Sequence, residues 1–446
     1  MIDSLWRVWL NGGGKAPIAF HEIETNKTFS GHDLTQRALD YASLLSSIRV
    51  GTRIVLAGRN QASWFARFLA IQQKGCSAVL LDPECGTDAL LSSAKFFRAK
   101  AILHPDHLEV LTNSSAKCGG SAVYKTTSGS SGAPKLVACS AAHLLADGRN
   151  IIKGMRLKKR DRQLGLIPFG HSYGLGNLIL PLILQGTPIW AAQQFVISQI
   201  FEWIQKYKIT SFPSVPTVMN LVSKDTSPRP KSSLRLVVSA GSVLEKETCK
   251  KFFKRFGVKI HNFYGSSETG GICYDSSGNA GLTGRAIGRP LPGVKVMTDR
   301  KNRIWVQSNS VATRSGRFRM PDLGTLHSSG ELQLLGRDRC IAHVGSKKVC
   351  PREVEDCLKR IEGVRHAVVS IQKFKGREYL VAWVEGRGTQ ESIRQKLLSQ
   401  LPLWKIPRRI LFLKVIPLTS RGKTDHRKLE SMLLESEFFA GEDDLS

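Results

Sequence analysis

The sequence predicts an α/β protein whose parallel strands alternate with crossover helices, followed by a β-rich segment and a small α+β module. Between residues 29 and 110, helical stretches alternate with short β-favouring runs, and this alternation resumes from residue 163 to residue 263. Past Gly281 the chain changes to short strands and turns, and after Arg339 it changes again to closely spaced helices and strands. Because strands joined by helices lie parallel in one sheet, the alternating part predicts a large multi-sheet α/β domain.

Hydrophobic periodicity places the individual elements. In the alternating part, helices are predicted over residues 34–48 and 63–73, and strands over residues 53–57, 77–81, 101–103, 163–167, 187–190, 209–212, 234–239 and 259–263. The β-rich part contains predicted strands at residues 294–296, 304–306 and 331–334. The last part contains predicted helices over residues 351–361 and 391–398, and strands over residues 367–371, 379–384 and 409–413.

A chain of 446 residues is too long for one ordinary hydrophobic core, so more than one domain is expected. We expect a large N-terminal domain over residues 1–338, with a β-rich subdomain over about residues 281–338, and a small C-terminal domain over residues 339–434. Residues 435–446 are rich in Asp and Glu and predict an acidic, frayed tail.

The chain is strongly basic, with 65 Lys and Arg against 36 Asp and Glu and a formal net charge of +29. The basic residues are spread through short clusters such as residues 158–160, without a nucleic-acid-binding motif, so no specific nucleic acid partner is expected. Acidic small ligands or an acidic carrier protein account for the charge as well.

Neither a secretory signal nor a transmembrane segment is expected. The N-terminus lacks a basic region followed by a long apolar core, and the longest apolar stretch, residues 175–184, is interrupted by Asn177 and Pro181. The nine cysteines include no CxxC pair, which favours free thiols in a reducing compartment. We therefore expect a cytoplasmic protein.

A loop over residues 127–135 concentrates hydroxyl groups, glycines and a lysine. Glycines let the backbone approach an anion closely, while Ser, Thr and Lys supply further donors and charge, so this composition favours phosphate binding. The β-favouring residues 122–124 precede the loop and the apolar residues 136–145 follow it, which predicts a strand–loop–helix context. The spacing does not fit the Walker pattern, and a flexible linker is the alternative for this segment taken alone.

Two clusters farther along the chain carry groups suited to a nucleotide. Tyr264 to Glu268 follow a predicted strand, where open α/β sheets place ligand contacts, and the glutamate is a candidate ligand for phosphate-bound Mg²⁺. Asp322 and Arg337 are candidate partners of a ribose and a phosphate, since a carboxylate accepts and a guanidinium donates hydrogen bonds.

Two more clusters lie in the C-terminal part. Gly345 stands in a turn that leads into a predicted helix with Pro351 at its start, and Lys423 follows Gly422 on another turn. Each residue alone has an ordinary alternative as a solvated turn residue. The order of all these clusters along one chain favours a functional role over the ordinary alternative.

The five clusters together resemble those of the adenylate-forming (AMP-binding) enzyme superfamily, which includes acyl-CoA synthetases. Residues 127–135 are similar to its Thr-Ser-Gly-Thr-Thr-Gly-x-Pro-Lys phosphate loop, and residues 264–268 match its Tyr-Gly-x-Thr-Glu with Ser267 in place of Thr. Asp322 stands at the position of the family's ribose-binding aspartate and Arg337 at that of its ribose or phosphate arginine. Lys423 lies in a segment resembling Pro-x-Thr-x-x-Gly-Lys-x-Asp.

This resemblance implies an acid–thiol ligase in which a carboxylate attacks the α-phosphorus of ATP, pyrophosphate leaves with Mg²⁺, and a thiol then takes the acyl group. It implies Lys423, Glu268 and Ser267 as catalytic residues, Glu268 also as the metal ligand, and Arg339 as the hinge of a mobile C-terminal domain. The implied nucleotide- and cofactor-binding residues are Thr127, Ser128, Gly129, Ser130, Ser131, Gly132, Lys135, Gly241, Tyr264, Gly265, Asp322, Arg337 and Gly345.

The resemblance also implies an acyl pocket. Residues 168–174 resemble the family's Pro-x-x-His-x-x-Gly segment, and the implied pocket residues are His171, Tyr173, Ala240 and Phe263. Residues 164–188 contain no aspartate to pair with a substrate ammonium, which favours an amine-free fatty or aryl acid.

CoA is the expected acceptor of the acyl group. Two alternatives stay open, namely a stand-alone ligase that loads the phosphopantetheine of an acidic acyl carrier protein, and a non-catalytic nucleotide- or nucleic-acid-binding descendant. The chain departs from the family pattern at Met320-Pro321, where Thr-Gly is usual, and at Arg339, where Asp or Lys is usual. A rigid proline directly before Asp322 predicts an altered or slower site.

Overall fold

The computed structural model describes residues 4–81, 87–111, 120–128, 134–194, 196–225, 233–283, 287–337, 342–344, 347–349, 351–374, 377–419 and 424–434. The chain divides into two compact units, Met1–Met320 with Thr325–Gln333, and Pro321–Gly324 with Leu334–Ser446. Each unit buries its own apolar clusters.

The first part of the larger unit forms a six-stranded sheet. The elements up to residue 139 are α1 Leu5–Asn11, β1 Phe20–Glu22, β2 Lys27–Phe29, α2 Gly31–Leu44, β3 Arg53–Leu56, α3 Ala62–Gln73, β4 Ser77–Leu80, α4 Thr87–Phe96, β5 Ala101–Leu103, β6 Leu108–Val110, β7 Val123–Ser128 and β8 Pro134–Cys139. The strand order is β6-β5-β3-β4-β7-β8. The inner strands pair in parallel and the two edge pairs are antiparallel, as the helix–strand alternation predicts.

A side-chain cap sets the start of α2. Ser30 Oγ accepts a hydrogen bond from the backbone N–H of Asp33 at 3.1 Å, and the Asp33 carboxylate accepts one from the backbone N–H of Ser30 at 2.8 Å. This reciprocal capping box begins the helix at Gly31. The helix therefore covers residues 31–44 instead of the predicted 34–48.

The segment after the Gly/Ser loop corrects one prediction. Residues 136–145 were expected to open a helix, but their first part forms β8, which pairs antiparallel with β7 so that Val137 lies opposite Lys125. The next helix begins only at Ala141, because Ser140 Oγ caps it by accepting from the backbone N–H of His143 at 3.2 Å. The loop is therefore the tip of a β-hairpin, not a strand–helix connection.

The second sheet of the larger unit has nine strands. Its elements after residue 140 are α5 Ala141–Met155, β9 Gln163–Gly165, α6 Ser172–Gly174, a π-helical turn Leu175–Ile179, α7 Leu180–Gln185, β10 Ile189–Ala191, α8 Ile197–Lys206, β11 Ser211–Ser214, α9 Pro216–Lys224, β12 Leu236–Ser239, α10 Lys246–Phe256, β13 Ile260–Ser266, β14 Gly270–Tyr274, α11 Ala280–Thr283 and β15 Arg289–Pro290. The order is β15-β14-β13-β12-β11-β9-β10-β1-β2. From β1 to β13 the neighbours are parallel, so the strands predicted between residues 163 and 263 are confirmed.

A four-stranded sheet of order β16-β17-β18-β19 follows, built from β16 Val294–Thr298, β17 Arg303–Ser308, β18 Arg317–Leu326 and β19 Leu332–Arg337. It contains the three short strands predicted past Gly281. Met320 on β18 is buried, and Pro321 beside it is exposed.

The smaller unit is an α+β module. Its elements are β20 Ala342–Val344, β21 Lys347–Val349, α12 Pro351–Leu358, β22 Val364–Phe374, β23 Arg377–Gly386, α13 Gln390–Leu398, β24 Arg409–Leu413 and α14 His426–Leu434. β23 lies between β22, its antiparallel neighbour, and β24, its parallel neighbour. Val354, Leu358, Ala382 and Leu397 are buried in the core between helices and sheet.

The α/β class with a large N-terminal part and a smaller C-terminal part is confirmed. The domain boundary expected at Arg339 and the acidic tail over residues 435–446 lie outside the described residues and stay predictions. Among the described residues, none of the helices has the length and apolar character needed to cross a bilayer.

Candidate active site

The candidate site begins where parallel strands of the nine-stranded sheet end. β12 ends at Ser239, which pairs with Asn262 on β13. β13 continues beyond this point into an antiparallel pairing with β14, with a bulge between Tyr264 and Gly265. Carboxyl ends of parallel strands are where open α/β sheets bind ligands, and the bulge redirects the chain at that edge.

The turn between β13 and β14 carries the two predicted catalytic side chains of this region. We call residues 266–271 the Ser267 turn. Ser267 Oγ lies 2.7 Å from Ser172 Oγ, a hydrogen bond between two half-buried side chains. Ser172 begins α6 and belongs to the segment predicted to border the acyl pocket, so the structure joins two motifs that are 95 residues apart.

Neighbouring elements hold the backbone of the Ser267 turn. Three successive carbonyls accept hydrogen bonds, from Lys125 Nζ to Ser267 O at 3.4 Å, from Ala312 N to Glu268 O at 2.8 Å, and from Ser310 Oγ to Thr269 O at 2.8 Å. At the end of the turn, the backbone N–H of Gly271 donates to Asp147 Oδ1 at 2.8 Å. The donors and the acceptor come from three separate segments, namely β7, the turn after β17 and α5, which fixes the position of Ser267 and Glu268.

Two glycines permit this tight turn. A Cβ on Gly265 would lie 2.5 Å from the carbonyl oxygen of Gly270, so the two strands approach too closely for a side chain there. Gly270 has φ of +70°, and a Cβ on it would lie 2.4 Å from Cγ of Asp147. Both positions therefore require glycine.

The Glu268 carboxylate fits a metal held jointly with phosphates. Its side chain is half-buried and makes no hydrogen bond or ion pair to any other described residue. Within the described part of the chain, no group of three or more His, Cys, Asp or Glu residues is arranged to bind a metal. Mg²⁺ commonly binds one or two carboxylates and completes its coordination with phosphate oxygens and water, and a lone carboxylate beside the Ser267 hydroxyl suits that mode.

The predicted acyl-pocket residues also meet at this edge. Tyr173 stacks on Phe263 with ring centroids 5.8 Å apart, and its hydroxyl donates to the carbonyl oxygen of Val238 at 3.1 Å. Burial raises the pKa of the Tyr173 phenol well above its ordinary value. Ala240 is buried beside Phe263 in the same apolar cluster, and His171 is half-buried at the start of α6.

Asn60, which lies between β3 of the six-stranded sheet and α3, supports the segment predicted to border the acyl pocket. The side-chain amide of Asn60 donates to the carbonyl oxygens of Gly165 and Ile167 at 3.0 and 2.9 Å and accepts from the backbone N–H of Phe169 at 3.0 Å. Asn60 is 5% exposed, so its hydrogen bonds form in a shielded environment.

The loop over residues 127–135, which is predicted to bind phosphate, is described only at its base. Thr127 and Ser128 end β7 and pair with Lys135 and Pro134 at the start of β8. The Lys135 side chain is exposed. Gly129, Ser130, Ser131 and Gly132 lie outside the described residues.

Gly241 follows β12 with φ of +94°, a conformation that favours glycine. Asp322 is half-buried on β18, and Arg337 ends the adjacent strand β19, both within the smaller unit. Arg339, Gly345 and Lys423 lie outside the described residues, so their roles stay predictions.

Sequence reasoning missed four residues that contact the Ser267 turn: Lys125, Asp147, Ser172 and Ser310. Lys125 and Asp147 are each 3% exposed. Lys125 directly follows the β-favouring residues 122–124, and a charged residue in a strand is a signal that sequence reasoning could have used. For Ser310 and Asp147 no signal was available, because the contacts depend on long-range packing.

The fold and the candidate site can be compared with those of known proteins. A family model described as AMP-binding enzyme matches residues 120–307. This match supports the resemblance of the sequence to the adenylate-forming (AMP-binding) superfamily.

Curated relatives carry the names of CoA ligases. The chain is 26% identical to the sulfoacetate–CoA ligase of Cupriavidus necator, over 69% of this chain and 66% of that protein. It is 25% identical to the 2-succinylbenzoate–CoA ligase of Lactococcus lactis subsp. lactis, over 60% of this chain and 62% of that protein. The matched part of the chain thus spans about two thirds or less of the length of these relatives.

Solved structures share the fold across nearly the whole chain. ATP-bound MatB from Rhodopseudomonas palustris matches with a TM-score of 0.84 at 19% identity, over 96% of this chain and 98% of that chain. The O-succinylbenzoate CoA synthetase MenE from Bacillus subtilis, in complex with AMP, matches with a TM-score of 0.82 at 20% identity over the same shares. At these identities the likeness concerns the fold.

Proposed function

We propose that the protein is an ATP-dependent acid–thiol ligase that activates a carboxylic acid as its acyl-adenylate and transfers the acyl group to CoA. The observation that carries this proposal is the hydrogen bond between Ser172 and Ser267. It joins the segment predicted to border the acid to the turn predicted to face the phosphates. A reaction between an acid and a nucleotide needs these two surfaces side by side.

In the first half-reaction, a carboxylate oxygen of the acid forms a bond to the α-phosphorus while the bond from that phosphorus to pyrophosphate breaks. The loop over residues 127–135 holds the departing phosphates through its backbone N–H groups, its hydroxyls and Lys135. Glu268, with the phosphate oxygens, is the carboxylate that would hold Mg²⁺, which offsets the charge of the leaving pyrophosphate.

The other half of the nucleotide is assigned to the second group of predicted residues. Asp322 accepts from the ribose hydroxyls, and Arg337 adds a donor to the sugar or its phosphate. Lys423 bridges the carboxylate and phosphate oxygens during adenylation. In the second half-reaction, rotation about Arg339 replaces Lys423 with the turn at Gly345, and the thiol sulfur attacks the acyl carbon as AMP leaves.

The acid is proposed to be a fatty or aryl acid without an amine. Tyr173, Ala240 and Phe263 give the pocket an apolar and aromatic lining, and residues 164–188 offer no aspartate for an ammonium. The names of the relatives span sulfoacetate, 2-succinylbenzoate, indoleacetate and long-chain fatty acids, which supports a carboxylate as the common feature.

A carrier-protein acceptor is the second candidate, and the net charge of +29 favours it. Acyl carrier proteins are acidic, and opposite charge accelerates the encounter of two proteins. The test separates the two acceptors, because CoA and a carrier protein are offered in parallel.

The deciding experiment is a pyrophosphate-release screen over fatty, aryl and hydroxy-aryl acids, each with CoA and with acidic acyl carrier protein. We expect acid-dependent release in the wild type and loss of about 100-fold in Glu268→Gln. Glu245→Gln, at the start of α10, is the control for loss of a carboxylate elsewhere. Tight, steeply salt-dependent DNA binding without release by any acid would instead support a non-catalytic descendant.

A further inference from the structure

Lys125 is a buried lysine that the proposed reaction does not use. It lies within β7 with 3% of its surface exposed, opposite Val137 on β8 and Leu80 on β4. A buried ammonium is costly unless hydrogen bonds or a counter-charge compensate it. Its neighbours therefore indicate what the charge does.

The ammonium of Lys125 contacts the backbone of the Ser267 turn. Lys125 Nζ donates to the carbonyl oxygen of Ser267 at 3.4 Å, across 142 residues of sequence and between the two large sheets. Lys125 also stands two positions before Thr127, the first residue of the phosphate loop. One side chain thus ties the strand that carries the loop to the turn that carries Ser267 and Glu268.

Asp147 on α5 provides the counter-charge and holds the other end of the same turn. Its Oδ1 accepts from the backbone N–H of Gly271 at 2.8 Å. Burial raises the pKa of Asp147, while the charge of Lys125 and the Gly271 hydrogen bond act in the opposite direction. Burial lowers the pKa of His143, one turn earlier on α5, and the charge of Lys125 lowers it further.

We propose that Lys125 is a positioning residue which, together with Asp147, holds the Ser267 turn at a fixed distance from the strand of the phosphate loop. The effect on catalysis rests on the proposed function, in which the loop over residues 127–135 and Glu268 bind the same phosphates from two different sheets. A shift of the turn by about 1 Å is enough to slow a reaction that depends on positioning by roughly 100-fold.

The test compares Lys125→Met with Arg67→Met. Arg67 is a matched control, since it is 2% exposed and also donates to a backbone carbonyl, that of Leu103 at 2.8 Å, outside the Ser267 turn. The first readout is amide hydrogen exchange of the ligand-free chain, followed by mass spectrometry of peptides over residues 264–274 and 246–256. The second is the KM for ATP·Mg²⁺ and the kcat of acid-dependent ATP–pyrophosphate exchange.

We expect Lys125→Met to speed amide exchange over residues 264–274 by about tenfold without changing residues 246–256. We expect the KM for ATP·Mg²⁺ to rise about tenfold, with Lys125→Arg recovering most of the loss because it keeps the charge and a donor. If Lys125→Met does not fold, Lys125→Gln takes its place, since it keeps a donor without the charge.

Unchanged protection of residues 264–274 in Lys125→Met, or an equal loss of that protection in Arg67→Met, would overturn the role of Lys125. A wild type without exchange activity for any acid would overturn the proposed ligase function instead. In that case the amide-exchange comparison, which needs no substrate, still decides whether Lys125 holds the turn.

Discussion

Ser172 and Ser267 share a hydrogen bond of 2.7 Å between their hydroxyl oxygens, and each belongs to a different functional segment of the chain. Ser172 starts the short helix behind His171, while Ser267 follows the end of β13. Only one of the two hydroxyls donates in this bond, so the other keeps its hydrogen for a neighbouring acceptor such as a phosphate or a carboxylate. The pair therefore joins the segment predicted to border the acid to the turn predicted to face the phosphates.

Replacing either hydroxyl tests that link. We expect Ser267→Ala to lower acid-dependent ATP–pyrophosphate exchange by about 10- to 100-fold and Ser172→Ala by about tenfold, since Ser172 acts through Ser267. If the two serines act as one unit, the double variant is no worse than Ser267→Ala alone. Ser315→Ala, on the exposed turn before β18, is the control, and additive losses would contradict the coupling.

Lys423→Ala tests the assigned bridge between carboxylate and phosphate. We expect it to abolish detectable acyl-adenylate formation, a loss of at least about 1000-fold, without moving the thermal unfolding midpoint. Lys428→Ala is the matched control, because Lys428 is exposed on the following helix α14. Exchange at the wild-type rate in Lys423→Ala would remove this residue from the mechanism.

The stacked pair of Tyr173 and Phe263 tests the acid pocket. We expect Phe263→Ala to change the KM for the acid by about tenfold while the KM for ATP changes by less than about twofold, since the lost contact is to the acid alone. Tyr173→Phe keeps the stack but removes the hydrogen bond to Val238, and it is expected to have the smaller effect. A larger change in the KM for ATP than in the KM for the acid would contradict the assignment of this pair to the acid pocket.

Asp161 predicts how stability depends on pH. It is 2% exposed; burial acts to raise its pKa, but hydrogen bonds from Arg235, the backbone N–H of Lys158 and Thr210 outweigh burial and leave the pKa lowered. A lowered carboxylate pKa contributes stability above the ordinary value near 4, and the contribution is lost as pH falls through the folded-state pKa. We expect Asp161→Asn to lose about 3 kcal/mol at pH 7. The gap between wild type and variant, measured by denaturant unfolding, should shrink below about pH 4. A gap that is constant with pH would contradict the ionised pair.

Gly270→Ala separates backbone strain from steric conflict. The new Cβ would lie 2.4 Å from Asp147 Cγ, at a φ of +70°. Gly51→Ala is the control, because its φ is +77° and no atom lies within 4 Å of a Cβ there. We expect Gly51→Ala to cost about 1 kcal/mol of unfolding free energy and Gly270→Ala to cost about 3 kcal/mol or more. Equal costs would mean that Asp147 moves aside freely.

The sequence was a good guide to elements whose pattern is local. Alternating helices and strands predicted the parallel sheets because each crossover places the next strand beside the last. The segment from Tyr264 to Glu268 was expected after a strand, but β13 continues through Ser266, so only Ser267 and Glu268 follow it. The prediction failed at residues 136–145, where an apolar run is compatible with either a strand or a helix. The strand forms because these residues pair with β7, and the helix starts at Ala141 because Ser140 caps it. The pairing depends on residues outside the apolar run, whereas the cap is local.

The contacts that hold the candidate site were largely beyond sequence reasoning. Lys125, Asp147 and Ser310 belong to segments far from the Ser267 turn in sequence, and a single sequence carries no record of which segments touch. A charged residue that the structure buries within a strand, as at Lys125, is the kind of local inconsistency that marks such positions. Asp147 is buried and contacts the Ser267 turn because α5 packs against β14.

The buried thiol of Cys139 reports how often its surroundings open. The thiol lies on β8, 1% exposed, and burial raises its pKa, against which the charge of Lys125 acts in the opposite direction. Because a thiol reacts as the thiolate and only when a reagent reaches it, an alkylating agent can modify Cys139 only after an opening that exposes β8. The rate at which the peptide containing Cys139 gains label therefore measures how often β8 opens. The measurement needs neither a substitution nor a substrate.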